Sequence, residues 1–245
     1  MSLTITTADP TSTPATTTAQ NTSSHPARTN AARWPIFGVV AGVTGWAAAL
    51  TSISNGVSKE EANEGVGVID HLSRGPYHIS FVLGLVSIAS LLYAAAGWRR
   101  WAEERAPRHL ASRTIASALG ATATMNILGT AMAGSMALYL PGGTDEGWLS
   151  RDAQFVNFTL LDFGQLFGWW GAMVAAGSVA ALALPKRRVL PRWMGIVSVV
   201  LMLPAIVFAA ATALPGFPGL VMPIWLVVIS LGMMKARNGG SPDVA

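Results

Sequence analysis

Cysteine is missing from all 245 positions, which removes disulfides, thiolate nucleophiles and thiolate metal ligands together. Charge is scarce as well: Asp, Glu, Lys and Arg make up 11% of the chain, against about 25% in ordinary soluble domains. The four histidines are His25, His71, His78 and His109, and none lies deep in an apolar run. No HExxH pair and no GxSxG elbow occurs, and Gly65-x-Gly67 is too short to cradle a phosphate. Residues Met1–Ala32 contain no periodic apolar pattern. Met1–Ala27 has neither the basic start nor the apolar centre of a cleavable signal peptide.

What remains is hydrophobic. Apolar residues are 51% of the sequence and the mean hydropathy is +0.46. Six apolar runs recur: Trp34–Ile53, Pro76–Trp98, Ser112–Leu140, Ala153–Leu184, Trp193–Leu214 and Leu220–Met234. A hydrocarbon layer is crossed by about 20 apolar residues in a helix, so the sequence predicts an all-α, polytopic transmembrane helical bundle of six spans. Its organisation reads as a disordered cytoplasmic tail (1–33), a six-span transmembrane domain (34–235) and a short cytoplasmic tail (236–245).

A sequence pI near 10.0 would suit a nucleic-acid binder, but the position of the positive charge argues otherwise. All but three of the 16 Lys and Arg residues fall in the first tail, Arg99–Arg113, Lys186–Arg192 or after Met234. The exceptions are Lys59, Arg74 and Arg151. Basic residues stay on the cytoplasmic side of a membrane, so both termini are expected there, in a bacterial cytoplasmic membrane. Tryptophans 34, 98, 101, 148 and 193 fall near the predicted interfaces, where an aromatic belt belongs.

The fourth run, read as one helix over Ala153–Leu184, carries the groups that lipid would reject. Phe155, Phe158, Asp162, Gln165, Trp169 and Met173 share one face; Asn157, Gly164, Gly168, Gly171, Ala175 and Ser178 share the opposite one. Gly164-x-x-x-Gly168, like Gly38-x-x-x-Gly42 with Gly45 in the first run, lets a neighbouring helix approach closely. Thr122, Asn126, Gly129, Thr130 and Ala133 form a comparable face on the third run. Neither face of the fourth helix suits lipid, which places it in the middle of the bundle. Elsewhere, Pro204 predicts a kink in the fifth span. Pro215–Gly219 reads as a tight turn, and Ser58-x-x-Glu61 as a capping box opening a short helical turn.

Asp162 lies 22 residues from Leu184, about 33 Å along the axis, at the outer boundary of the bilayer. A candidate outward-facing pocket there comprises Asp162, Gln165, His78 and Arg74. The competing reading, an ion pair or hydrogen bond that ties helices together, is favoured, because a buried carboxylate needs a partner whether or not it works. His71 and His78, with Asp70, Glu64 or Asp162, form a candidate metal site. Gly75-Pro76 between them breaks the helix they would need to share. Haem ligation would draw on His78 alone within the bundle.

The segment Val189-Leu190-Pro191-Arg192-Trp193-Met194-Gly195, then an apolar span, a Pro/Gly turn and Pro223-Ile224-Trp225-Leu226, resembles a group of uncharacterised bacterial six-helix integral membrane proteins. These are catalogued as domains of unknown function and carry an LPRWxG stretch before the fifth span. The resemblance covers mainly Asp162–Met234 and implies a six-span fold without an activity to carry over.

The expected role is therefore that of a non-enzymatic integral membrane protein with no cofactor. Its alternatives are a small-molecule or proton-coupled transporter around Asp162, a redox or metal-binding subunit using His71 and His78, and an accessory subunit to a membrane partner. The lipid bilayer is the expected surrounding partner. A second copy of the chain or another membrane protein is an expected contact, and nucleic acid is not.

Overall fold

A computed structural model describes residues 33–53, 57–186 and 188–238; of these, the side chains of residues 59, 62, 162, 163 and 236–238 lie outside the description. The first tail, residues 54–56, Arg187 and the last seven residues are therefore not part of the account that follows. The described residues form helices α1 (Pro35–Ile53), α2 (Lys59–Ala62), α3 (Arg74–Arg105), α4 (Leu110–Tyr139), α5 (Arg151–Phe167), α6 (Trp170–Ala183), α7 (Arg192–Thr212) and α8 (Phe217–Asn238). A 3-10 segment spans Gly65–His71, and no strand occurs among the described residues. Six rods, with α5 and α6 counted as one, are long and apolar enough to cross a membrane. The protein thus fits a multi-pass transmembrane helical bundle.

The rods differ in reach. At 1.5 Å per residue α1 spans about 29 Å, close to the hydrocarbon thickness, whereas α3, α4 and the α5–α6 rod each run to about 45–50 Å. The extra turns carry the polar ends. Arg99 and Arg100 close α3 in i,i+4 pairs with Glu103 and Glu104, and α5 opens with Ser150 accepting from the Ala153 N–H at 3.3 Å.

Most helix ends differ from the sequence reading by a few residues, the end of α3 by seven, and three departures have a structural cause. Helix α3 begins two residues before Pro76, which still lies in the first turn, where its missing N–H is not needed. Helix α8 starts at Phe217, not Leu220, because Pro218 also occupies a first turn; the sixth span is a full 22 residues. The third departure is that the fourth span is not one continuous helix. Its ladder is interrupted at Gly168-Trp169, where Trp169 takes φ −86° and ψ 1° and its N–H bonds the Leu166 carbonyl three residues back. Gly168 lies so close to Asn126 of α4 that a Cβ there would fall on the Asn126 side chain. Helix α7 runs on through Pro204.

The bundle is arranged by how closely backbones approach. Gly38 faces Ser230 of α8, Gly42 faces Pro223 and Val227 of α8, and Gly45 faces Trp169 and Ser87. Between α4 and α5, a Cβ on Gly129 would meet the Gly164 carbonyl at 2.8 Å, and a Cβ on Gly164 would lie 3.7 Å from the Gly129 Cα. The fourth span is accordingly the most enclosed, with 67% of its apolar window buried, while α7 is the most peripheral at 28%. Ile196, Val200, Leu203, Val207 and Phe208 of α7 point outward, an apolar face that suits lipid and not water. Trp98, Leu119, Trp169, Val179, Trp225 and Leu226 fill the main core.

A methyl on Gly42 would lie 2.5 Å from the Pro223 carbonyl and 2.6 Å from Val227, whereas nothing lies within 4 Å of a Cβ on Gly120. Gly42→Val is expected to destabilise the bundle by about 1–3 kcal/mol. Gly120→Ala is expected to be neutral or stabilising by up to about 1 kcal/mol. Denaturant titration of both variants in mixed micelles measures the difference.

Candidate functional site

The residues singled out in the sequence gather at the end of the bundle where α3 begins, α4 ends and α5 begins. The segment before α3 folds back over that end. Ser58 caps α2: its hydroxyl accepts from the Glu61 N–H at 3.2 Å, and the Glu61 carboxylate accepts from the Ser58 N–H at 2.7 Å. Gly65, at φ +64°, turns the chain where a side chain would be strained. The 3-10 turn then lays Val68, Ile69 and Leu72 onto Tyr77 of α3, Ala133, Met136 and Ala137 of α4, Leu140, and Leu161 of α5. This second, smaller core makes the segment a lid packed by the same apolar burial that forms a soluble domain.

Polar contacts fasten the lid's rim. Arg74 Nε donates to the Ala137 carbonyl at 2.9 Å and Nη1 to the Gly142 carbonyl at 2.6 Å. These satisfy carbonyls at the negative end of α4. Glu146 accepts from the Gly142 N–H at 2.8 Å. Asp70 pairs with Arg151, and His71 lies 3.4 Å from Glu61 and 3.1 Å from Glu64.

Of the four residues of the proposed polar pocket, the three whose side chains are described, Arg74, His78 and Gln165, have different surroundings. Arg74 is committed to backbone carbonyls. His78 is exposed on α3. Gln165 is buried at 5% exposure and donates through Nε2 to Ser80 Oγ at 3.1 Å. Asp162 lies on α5, but its side chain is outside the described residues. Ser80, fully buried, in turn donates to the Ala48 carbonyl of α1 at 2.9 Å, so one hydrogen-bonded chain joins α5, α3 and α1. His71 and His78 stand on different elements, separated by the extended Leu72 and Ser73. Among the described residues no three metal-ligating side chains converge.

Reading the sequence for charges and histidines missed the serines. Ser80 and Ser87 are seven apart, so they share the α3 stripe that faces α1; Ser87 donates to the Ala41 carbonyl at 2.9 Å. Ser198 likewise accepts from Trp225 Nε1 at 2.9 Å, joining α7 to α8. Asn157 reaches the Met132 carbonyl at 3.2 Å, joining α5 to α4. The legible signal was serine at heptad spacing inside an otherwise apolar run.

Fold and site together define a six-rod membrane-type bundle in which several interior polar groups bond from helix to helix beneath an apolar lid. No family model matches the chain, and neither a curated protein nor a solved structure is significantly similar to it.

The capping box gives the lid a pH dependence. The Ser58 N–H, then the Ser58 hydroxyl, hold the Glu61 carboxyl below its usual range, and His71 adds to them. A lowered folded-state pKa means the cap's contribution is present above the unfolded glutamate's pKa and is lost as pH falls through the folded value. Amide-exchange protection at 58–63, corrected for intrinsic rates, is expected to hold above the ordinary glutamate pKa of about 4.3 and to fall as the pH drops below it. Glu61→Ala, which removes the titrating carboxylate, should already lack that contribution at neutral pH and lose little more on acidification.

Proposed function

We propose that the chain is a non-enzymatic multi-pass protein of a bacterial cytoplasmic membrane, with both termini in the cytoplasm and the lidded end outside. One observation carries this reading. Four polar side chains inside the described apolar layer bond to other helices: Gln165 to Ser80, Ser80 to Ala48, Asn157 to Met132 and Trp225 to Ser198. In lipid such bonds serve as glue between helices. The candidate pocket residue Arg74 serves the backbone in the same way. The orientation is supported by the clustering of Lys and Arg at the ends of α3, α6 and α8 and the starts of α4 and α7.

The rival reading, a small-molecule or proton-coupled transporter, rests on Asp162. That residue stands three positions before Gln165 on the same helical face, one turn from the buried chain through Ser80. Proton-dependent uptake that vanishes in Asp162→Asn at normal expression would establish it; unchanged uptake would remove it.

The natural absence of cysteine makes the orientation directly testable. Glu146→Cys, in the α4–α5 loop, is expected to react with a membrane-impermeant maleimide in intact cells. Glu104→Cys, at the end of α3, should react only after permeabilisation. The reverse pattern, or equal labelling of both, contradicts the proposed orientation.

A further inference from the structure

The α3–α4 hairpin contains a cleft that neither its orientation nor its packing requires. It lies between the last turns of α3 and the first of α4, with a volume of about 750 Å³, within the roughly 300–1,000 Å³ typical of ligand sites. Ala95, Ala96, Ala102 and Ala116 line it, with Arg99 contributed by α3 and Arg113 by α4. Alanines on both helices leave the space empty where larger apolar residues would have closed it.

Chemistry divides the cleft into two parts. Its lining is of two kinds, the apolar Ala95, Ala96, Ala102, Pro107 and Ala116 and the polar Arg99, Glu103, Arg113 and Ser117, and the exposed arginines place the polar part toward the surface. Arg99 is 3.4 Å from Glu103, but both are mostly exposed, so water screens the pair and leaves the guanidinium free to meet a second anion. Arg113 gives Nη2 to the Pro107 carbonyl at 3.1 Å, which fixes the guanidinium at the mouth while leaving other N–H groups of its five. Trp98 and Trp101 meet edge to face at 5.4 Å on the same stretch of α3, and tryptophan marks the head-group level. Arg100, Arg105 and Arg108 add further positive charge around the hairpin.

The geometry points to a binding site for an anionic phospholipid, its phosphate held between Arg99 and Arg113 and one acyl chain entering along the alanine walls. Paired arginines suit a phosphate oxygen pair, and basic pockets between membrane helices on the cytoplasmic side are where acidic head groups bind. A free phosphate ion would use the mouth and leave the apolar walls without a purpose. The second basic connection, with Lys186 and Arg188, supplies charge without contributing to this cleft and serves as the control. The proposal rests on the bilayer placement given above. Cysteine labelling reads that placement and not lipid selectivity, so the two can fail separately.

The test is native mass spectrometry of the full chain released from a neutral detergent, titrated with phosphatidylglycerol or phosphatidylcholine of equal chain length. The wild type should bind its first phosphatidylglycerol about tenfold or more tightly than phosphatidylcholine. The double variant Arg99→Gln, Arg113→Gln should lose that preference. Ala116→Trp, which fills the cleft and keeps both charges, should weaken phosphatidylglycerol binding by a similar factor. Lys186→Ala with Arg188→Ala should leave it unchanged. Equal affinity for the two lipids overturns the proposal, as does the same loss in the Lys186/Arg188 control. Displacement of the lipid by millimolar glycerol phosphate would make this a free-phosphate site and overturn the lipid assignment. If the arginine variant does not fold, the wild-type preference together with Ala116→Trp decides.

Discussion

Ser80 stands where three helices meet. It accepts from Gln165 of α5 and donates to the Ala48 carbonyl of α1, itself sitting on α3. In water such a chain would add little, because each group exchanges one partner for another. Within a hydrocarbon layer no water competes, and a polar side chain must find protein or pay the full cost of desolvation. The same logic recurs at Ser87 with Ala41, at Trp225 with Ser198 and at Asn157 with Met132. Glycines supply the proximity that short serine side chains need. Gly45 lies against Ser87 and Trp169, and Gly129 against the backbone of Gly164 and Gln165. Close approach and polar pairing are thus one device, and removing either would loosen the other.

The lidded end follows different physics. Three rods outrun the bilayer, and their last turns would expose Tyr77, Met136, Leu140 and Leu161 to water. The turn Gly65–His71 covers them with Val68, Ile69 and Leu72, and the charged residues of the region are placed on the rim. Arg74 caps α4, Asp70 meets Arg151, and His71 sits between two glutamates. Charges that looked out of place beside a membrane are those of a small water-facing domain resting on it. Among the described residues the basic hairpin at the opposite end carries no comparable lid.

The six spans and their approximate positions were legible in the sequence, because apolar length against bilayer thickness is a strong and local signal. The polar turns that extend α3 and α8 beyond the apolar runs were not, nor were features that depend on partners far along the chain. The interruption at Gly168-Trp169 arises where Asn126 of α4 presses on Gly168, and a Gly-x-x-x-Gly spacing reads as packing in an unbroken helix. The lid went unseen because seven residues containing two glycines carry no useful periodicity; their apolar face exists only once α3, α4 and α5 have converged. Arg74 looked like a partner for Asp162, and its described hydrogen bonds go to the carbonyls of Ala137 and Gly142. Pro218 read as a breaker and instead serves as a first-turn residue of α8. Ionisable residues drew attention in an apolar sequence, whereas the tying of the helices fell to serine, glutamine, asparagine and tryptophan.

The account stands on Gln165 and Ser80 being coupled inside the bilayer. A double-mutant cycle of Gln165→Leu and Ser80→Ala, measured by reversible unfolding in bicelles, reads that coupling directly. A favourable interaction energy of about 0.6 kcal/mol, and up to about 1.7 kcal/mol, is predicted from hydrogen bonds between membrane helices. Strictly additive effects of the two substitutions would show that the chain through Ser80 does not hold the helices together, and would contradict the account.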